Sequence, residues 1–202
     1  GPAHGPRPVT RTAERILEAA RDQLLARGIQ DFSLRQLARD LGITAPALYR
    51  YHGDREALLV AVVERSYGIL DDYLFQALKG RDPQDRMARV ADGYLRFGLE
   101  HPRDFAVVSL LPGAFGVDEL HHAIRAREAA TFHFWVDRVR EATGAGVLDT
   151  PGTPEELAGL LWAAARGLLD LHHRGLLPVE DDQAFSTLFW RTGTWMMQGL
   201  AG

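Results

Sequence analysis

The chain has 202 residues, 46% hydrophobic and 25% charged, the balance of a globular protein able to build a core. A net charge of −4 excludes a chain that coats nucleic acid along its whole length, and the lack of cysteine excludes disulfides and thiolate metal sites. No apolar run nears the roughly 20 residues of a membrane span, so the expected setting is cytoplasmic, with no membrane partner. The charge is uneven: residues 1–56 hold nine Arg against seven Asp and Glu, while the remainder is acidic, which hints at an anionic partner for the amino-terminal part. Residues 1–8, opening on Gly1 and Pro2, read as a flexible lead-in left by processing.

Strand periodicity is nearly absent and helical periodicity is pervasive, so the fold class is all-α with about nine helices. Ile16, Leu17, Ala20 and Leu24 mark one face of a first helix from about Thr10 to Arg27, closed by Gly28. Ser33 caps a second, Gln36 stands at the reciprocal capping-box position, and Phe32 can staple onto Leu37. Gly42 ends that helix after Leu41. Thr44 caps a third after only two residues, with Pro46 in its first turn. Asp54 caps a long fourth helix through Leu58, Val62 and Leu70. Five more are expected over roughly 84–100, 103–111, 118–142, 154–174 and 182–199.

Helices two and three carry the most information. Ala38 is small where two helices approach, Gly42 makes the bend, and Leu37, Leu41, Ile43 and Leu48 form a shared core. This is helix-turn-helix spacing, whose second helix lies in the DNA major groove; an αα-hairpin with an aromatic edge is the alternative. With Leu48 facing in, the Tyr and Arg side chains of helix three are left to meet phosphates, while Ala45 and Pro46 can touch thymine methyls.

From Arg11 to Tyr67 the chain resembles the TetR family of bacterial transcriptional repressors. The matching text is TAERILEAARDQLLARG followed by FSLRQLARDLGITAPALYRYHGDREALL. Two residues depart from the family pattern: His52 stands where Phe is usual, and Arg55 where Lys is usual. The resemblance implies that Ser33 and Arg35 meet phosphates and that Thr44, Ala45 and Pro46 face base edges. It further implies that Tyr49 and Tyr51 grip backbone oxygens, that Arg50 reads a base or a phosphate, and that Arg55 makes a phosphate contact beside His52. The domains implied are 9–69 for DNA binding, with the helix-turn-helix at 33–52, and 70–202 for effector binding and dimerisation. The carboxy-terminal region resembles the Trp-His-Gly subtype, with Trp162 and Gly167 in place and Arg166 at the His position.

Helices 154–174 and 182–199 are apolar almost all round, which calls for cover on both sides. A twofold homodimer supplies it through Leu160, Ala164, Leu168, Phe185, Phe189, Trp190, Gly193 and Met197; two central helices of a monomer are the alternative. Tyr94, Phe97, Phe105, Phe115, Phe132, Trp135 and Trp162 either line a largely hydrophobic effector pocket or are core. Arg166 needs a partner if buried, either Asp170 one turn on or an effector carboxylate.

The functional expectation is a dimeric repressor released from double-stranded operator DNA by a small-molecule effector, with no cofactor and no metal. A ligand-independent regulator or activator is the second reading. A metal-dependent helical-bundle enzyme is the third: Asp118/His121, Glu119/His122 and Asp170/His173 have the right spacing. Such pairs arise by chance among eight His and 27 acids, and no phosphate loop, nucleophile elbow or cysteine nucleophile supports an enzyme.

Overall fold

The computed structural model describes residues 8–110, 118–149 and 151–200. Among them are nine α-helices and no strand, which bears out the all-α expectation. In chain order they are α1 (Pro8–Arg27), α2 (Leu34–Leu41), α3 (Ala45–Tyr51), α4 (Arg55–Leu74), α5 (Pro83–Glu100), α6 (Pro102–Val108), α7 (Asp118–Gly144), α8 (Pro154–His173) and α9 (Asp182–Leu200). A 3-10 turn at Phe75–Lys79, not anticipated from the sequence, follows α4.

The helix starts are set locally. Thr44, Asp54 and Asp82 each accept a backbone N–H three residues on, at 3.3, 2.8 and 2.8 Å. Thr153 and Glu156 close a reciprocal capping box at α8, bonding at 3.2 and 2.7 Å with Pro154 in the first turn.

The described residues fall into two compact units. One holds everything up to Tyr67 together with 106–110 and 118–127; the other holds 68–105 with 128–149 and 151–200. The breaks between the units fall within α4, α6 and α7, so the end of α6 and the start of α7 side with the amino-terminal unit.

In the first unit Ile16, Ala20 and Leu24 of α1 are buried with Leu37 and Ala38 of α2, Leu48 of α3, and Leu58, Leu59 and Val62 of α4. Arg65 of α4 pairs with Glu14 of α1 and reaches Glu18 at 3.4 Å. Arg127 pairs with Glu64 at 3.4 Å and stands 5.5 Å above the Tyr67 ring, whose hydroxyl donates to the Val108 carbonyl at 3.4 Å.

In the second unit α5 packs against the 3-10 turn, α8 and α9. Gly93 permits part of this packing: a Cβ there would lie 2.7 Å from the Tyr73 carbonyl oxygen, a backbone atom that cannot swing aside. No helix among the described residues is long and apolar enough to cross a membrane.

Candidate DNA-binding surface

The bend between α2 and α3 is made by Gly42, at φ 67° and ψ 29° in the left-handed region. Its N–H donates to the Ala38 and Arg39 carbonyls, and the Ile43 N–H returns to Ala38 at 3.0 Å. The last turn of α2 is therefore satisfied before α3 begins. A Cβ at Gly42 would meet nothing within 4 Å, so the requirement for glycine is purely conformational.

Ser33 caps α2 by accepting from the Gln36 N–H at 3.3 Å. The expected capping box is not closed, however. The Gln36 side chain is engaged with Asp40 and Arg39, and the Ser33 N–H donates instead to the buried Gln23 of α1 at 2.6 Å. The donor is satisfied by tertiary structure, which also locks α2 to α1.

Leu48 is 1% exposed, while Tyr49 is 48% and Tyr51 37% exposed on the same short helix. Arg50, Thr44, Pro46 and Arg35 are exposed too, and Ala45 and Ser33 are half-buried. One side of α3 is thus fixed to the core by Leu48 while two phenols and a guanidinium are presented outward. That combination suits backbone-phosphate contact with few polar groups for base reading.

Two of the expected contacts lie differently. Arg55 donates from Nε to the Phe32 carbonyl at 3.2 Å and from Nη2 to the Ile29 carbonyl, and its guanidinium sits 5.8 Å from the Phe32 ring. It ties the start of α4 to the α1–α2 connection through two loop carbonyls. His52 ends α3 in extended backbone and is half-buried; burial holds its imidazole below the ordinary value. Neutral His52 therefore packs where the family pattern has Phe, and its Nε2 has no partner among the described residues.

In the carboxy-terminal unit Tyr94, Phe97, Phe105 and Trp135 are each at most 2% exposed. They meet edge-on or tilted, with Tyr94 6.0 Å from Trp135 and 6.2 Å from Phe105, as an aromatic core packs. Burial pushes the Tyr94 phenol up to about 12, with Trp162 and Arg166 nearby pulling the other way. Phe132 stacks on Trp162 at 6.1 Å, both half-buried, and Phe115 lies outside the described residues. Arg166 does not take Asp170: it pairs with Glu128 of α7 at 3.7 Å, and Asp170 accepts from Arg174 at 3.3 Å.

An open cleft of about 710 Å³ lies elsewhere in this unit, between α5, the α7–α8 connection, α8 and α9. Of the expected pocket residues Trp135 lines it. Six residues expected at a dimer interface line it: Ala164, Leu168, Phe189, Trp190, Gly193 and Met197. Phe185 is fully buried within the chain and stacks on His172 at 4.0 Å; Leu160 is 45% exposed. The apolar character of α8 thus divides into two stripes, Leu161, Ala164, Ala165 and Leu168 toward the cleft and Leu160 and Leu171 outward. No group of three His, Asp or Glu among the described residues could hold a metal ion.

A capped helix, a left-handed glycine bend and a short second helix with its phenols outward define the helix-turn-helix class of nucleic-acid-binding proteins. Residues 16–62 match the model of the bacterial regulatory proteins, tetR family. An HTH-type transcriptional regulator of Mycobacterium tuberculosis is 40% identical over 63 residues, 31% of this chain and 27% of the relative. The chain thus spans about a quarter of that relative's length. The HTH-type transcriptional regulator RutR of Escherichia coli is 28% identical over 174 residues, 81% of this chain and 76% of RutR. The structure of the fatty acid degradation regulator FadR from Bacillus halodurans is similar in fold, with TM-score 0.76, 14% identity and 98% of each chain covered. Over the matched residues the chain is thus similar to bacterial HTH-type transcriptional regulators.

Proposed function

We propose that the protein is a dimeric TetR-type repressor that binds operator DNA through α3 and is released by a small-molecule effector held in its carboxy-terminal unit. The observation that carries the DNA-binding reading is the split character of α3, with Leu48 in the core and Tyr49, Arg50 and Tyr51 outside it. Arg35 and the capped start of α2 add further phosphate ligands.

A homodimer is supported by the outward stripe of α8 and by Trp195 of α9, 56% exposed. Gly167 adds room, since a Cβ there would meet nothing within 4 Å. A twofold pair would place two copies of α3 on successive major grooves, about 34–36 Å apart. Release by effector is supported by the cleft, whose volume suits a small molecule. The α4 helix, with residues in both units, is the element whose displacement would change the spacing of the two recognition helices.

Selection of bound fragments from random-sequence DNA tests the reading. An enriched twofold-symmetric site is expected, with Tyr49→Phe weakening all retained sequences by similar factors because a phosphate contact carries no sequence information. Failure to enrich any sequence would refute it.

A further inference from the structure

Formal charge is scarce along the cleft. Among the described residues none that lines it is Lys, Arg or His, and its single formal charge is the Asp149 carboxylate. The hydroxyls of Thr192 and Thr194 are committed to their own helix, donating to the Leu188 and Trp190 carbonyls at 3.0 and 3.1 Å. The other polar side chains are the neutral carboxamides of Gln84 and Gln198, and the apolar walls include the rings of Trp135, Phe189 and Trp190 and the adaptable thioethers of Met87, Met196 and Met197.

An anion entering this space would shed water and find a charge of its own sign with no cation to offset it. A cation would gain the Asp149 carboxylate and the ring faces. We propose that the cleft binds a hydrophobic cation: an apolar body carrying an amine or quaternary ammonium group, its bulk on the Met and aromatic walls and its charge toward Asp149. That this ligand class acts as the effector rests on the ligand-responsive reading above; the binding itself does not. The outward stripe of α8 is separate from the cleft wall, so a second copy and a ligand can occupy different faces of one helix.

The full chain is titrated with tetraphenylphosphonium and tetraphenylborate, ions of nearly equal size and opposite charge, by calorimetry and tryptophan fluorescence. The expected result is one phosphonium ion per chain, bound at least about tenfold more tightly than the borate, a difference of about 1.4 kcal/mol. Asp149→Asn is expected to weaken the cation about fivefold and to narrow the gap between the two ions. Ala164→Phe, which fills the cleft, is expected to abolish both, with circular dichroism confirming retained helix.

Equal binding of the two ions, or phosphonium affinity unmoved by Asp149→Asn or by Ala164→Phe, would overturn the proposal. Gel-shift measurements on the same samples separate the two readings. Charge-selective binding with no effect on DNA retention supports the site and sinks its role as an effector site. Operator binding without charge selectivity sinks the site and leaves the regulator.

Discussion

Arg55 separates a structural role from a DNA-contact role. Its guanidinium donates to the Ile29 and Phe32 carbonyls and lies 5.8 Å from the Phe32 ring, joining the start of α4 to the connection between α1 and α2. A hydrogen bond from a charged donor contributes about 1.5–3 kcal/mol, and the side chain is half-buried, so the lower end applies. Two such bonds and a weak ring contact of about 0.5 kcal/mol bring the expected loss for Arg55→Ala to about 3.5 kcal/mol. In a protein of this size that lowers Tm by about 7–14 °C. Arg55→Lys keeps the charge but, as a point donor, cannot hold both carbonyls at the fork's spacing, so about half the loss is expected. The assay pairs thermal denaturation with DNA binding over a salt series. A phosphate contact would contribute about 0.9 to the slope of log K against log salt, so that slope should not change. A variant as stable as the parent whose slope falls by about 0.9 would refute the assignment.

Gly42→Val should destabilise the bend by about 2 kcal/mol or more, because a β-branched residue is strained at φ 67° although the space around it is open; chemical denaturation reads it. His52→Phe should stabilise by about 1 kcal/mol by removing a nitrogen buried without a partner. The histidine's folded pKa lies below its ordinary 6.5, so its stabilising contribution is complete above that value and is lost as pH falls through it toward the folded pKa. The Phe variant should therefore lose less stability than the parent between pH 7 and 5, and equal losses would contradict the packing assigned to His52. Leu160→Asp, on the outward stripe of α8 and away from the cleft, should yield monomers by light scattering; an unchanged mass would move the dimer interface elsewhere.

Helix boundaries were legible because caps are local. Ser33, Thr44 and Asp54 act within three residues of themselves, and Gly42 declares its own conformation. The surface of α3 was legible for a related reason: once Leu48 is assigned inward, the phenols have nowhere else to go.

What could not be read depended on partners distant in the chain. Gln36 was a sound local choice for the Ser33 N–H, yet Gln23 takes it from ten residues away. Arg55 lies 23 and 26 residues from the carbonyls that claim it. Arg166 has Asp170 one turn along its own helix and instead meets Glu128 on another. Along α8, periodicity reveals apolar character on every side but not which stripe faces the cleft and which faces outward. The residues expected to line an effector pocket were the largest aromatics, and large aromatics are also what close a core: Tyr94, Phe97 and Phe105 do so here.

The central claim is that the exposed phenols of α3 hold a DNA duplex. Its most direct test measures affinity for a selected operator fragment across a salt series, comparing the parent with a Tyr49→Ala, Tyr51→Ala double variant. Both tyrosines are solvent-facing, so folding stability should be nearly unchanged. The account predicts binding weakened by about tenfold or more for the double variant at every salt concentration, as expected when two backbone contacts are lost. Equal affinity of variant and parent for the same fragment would contradict it.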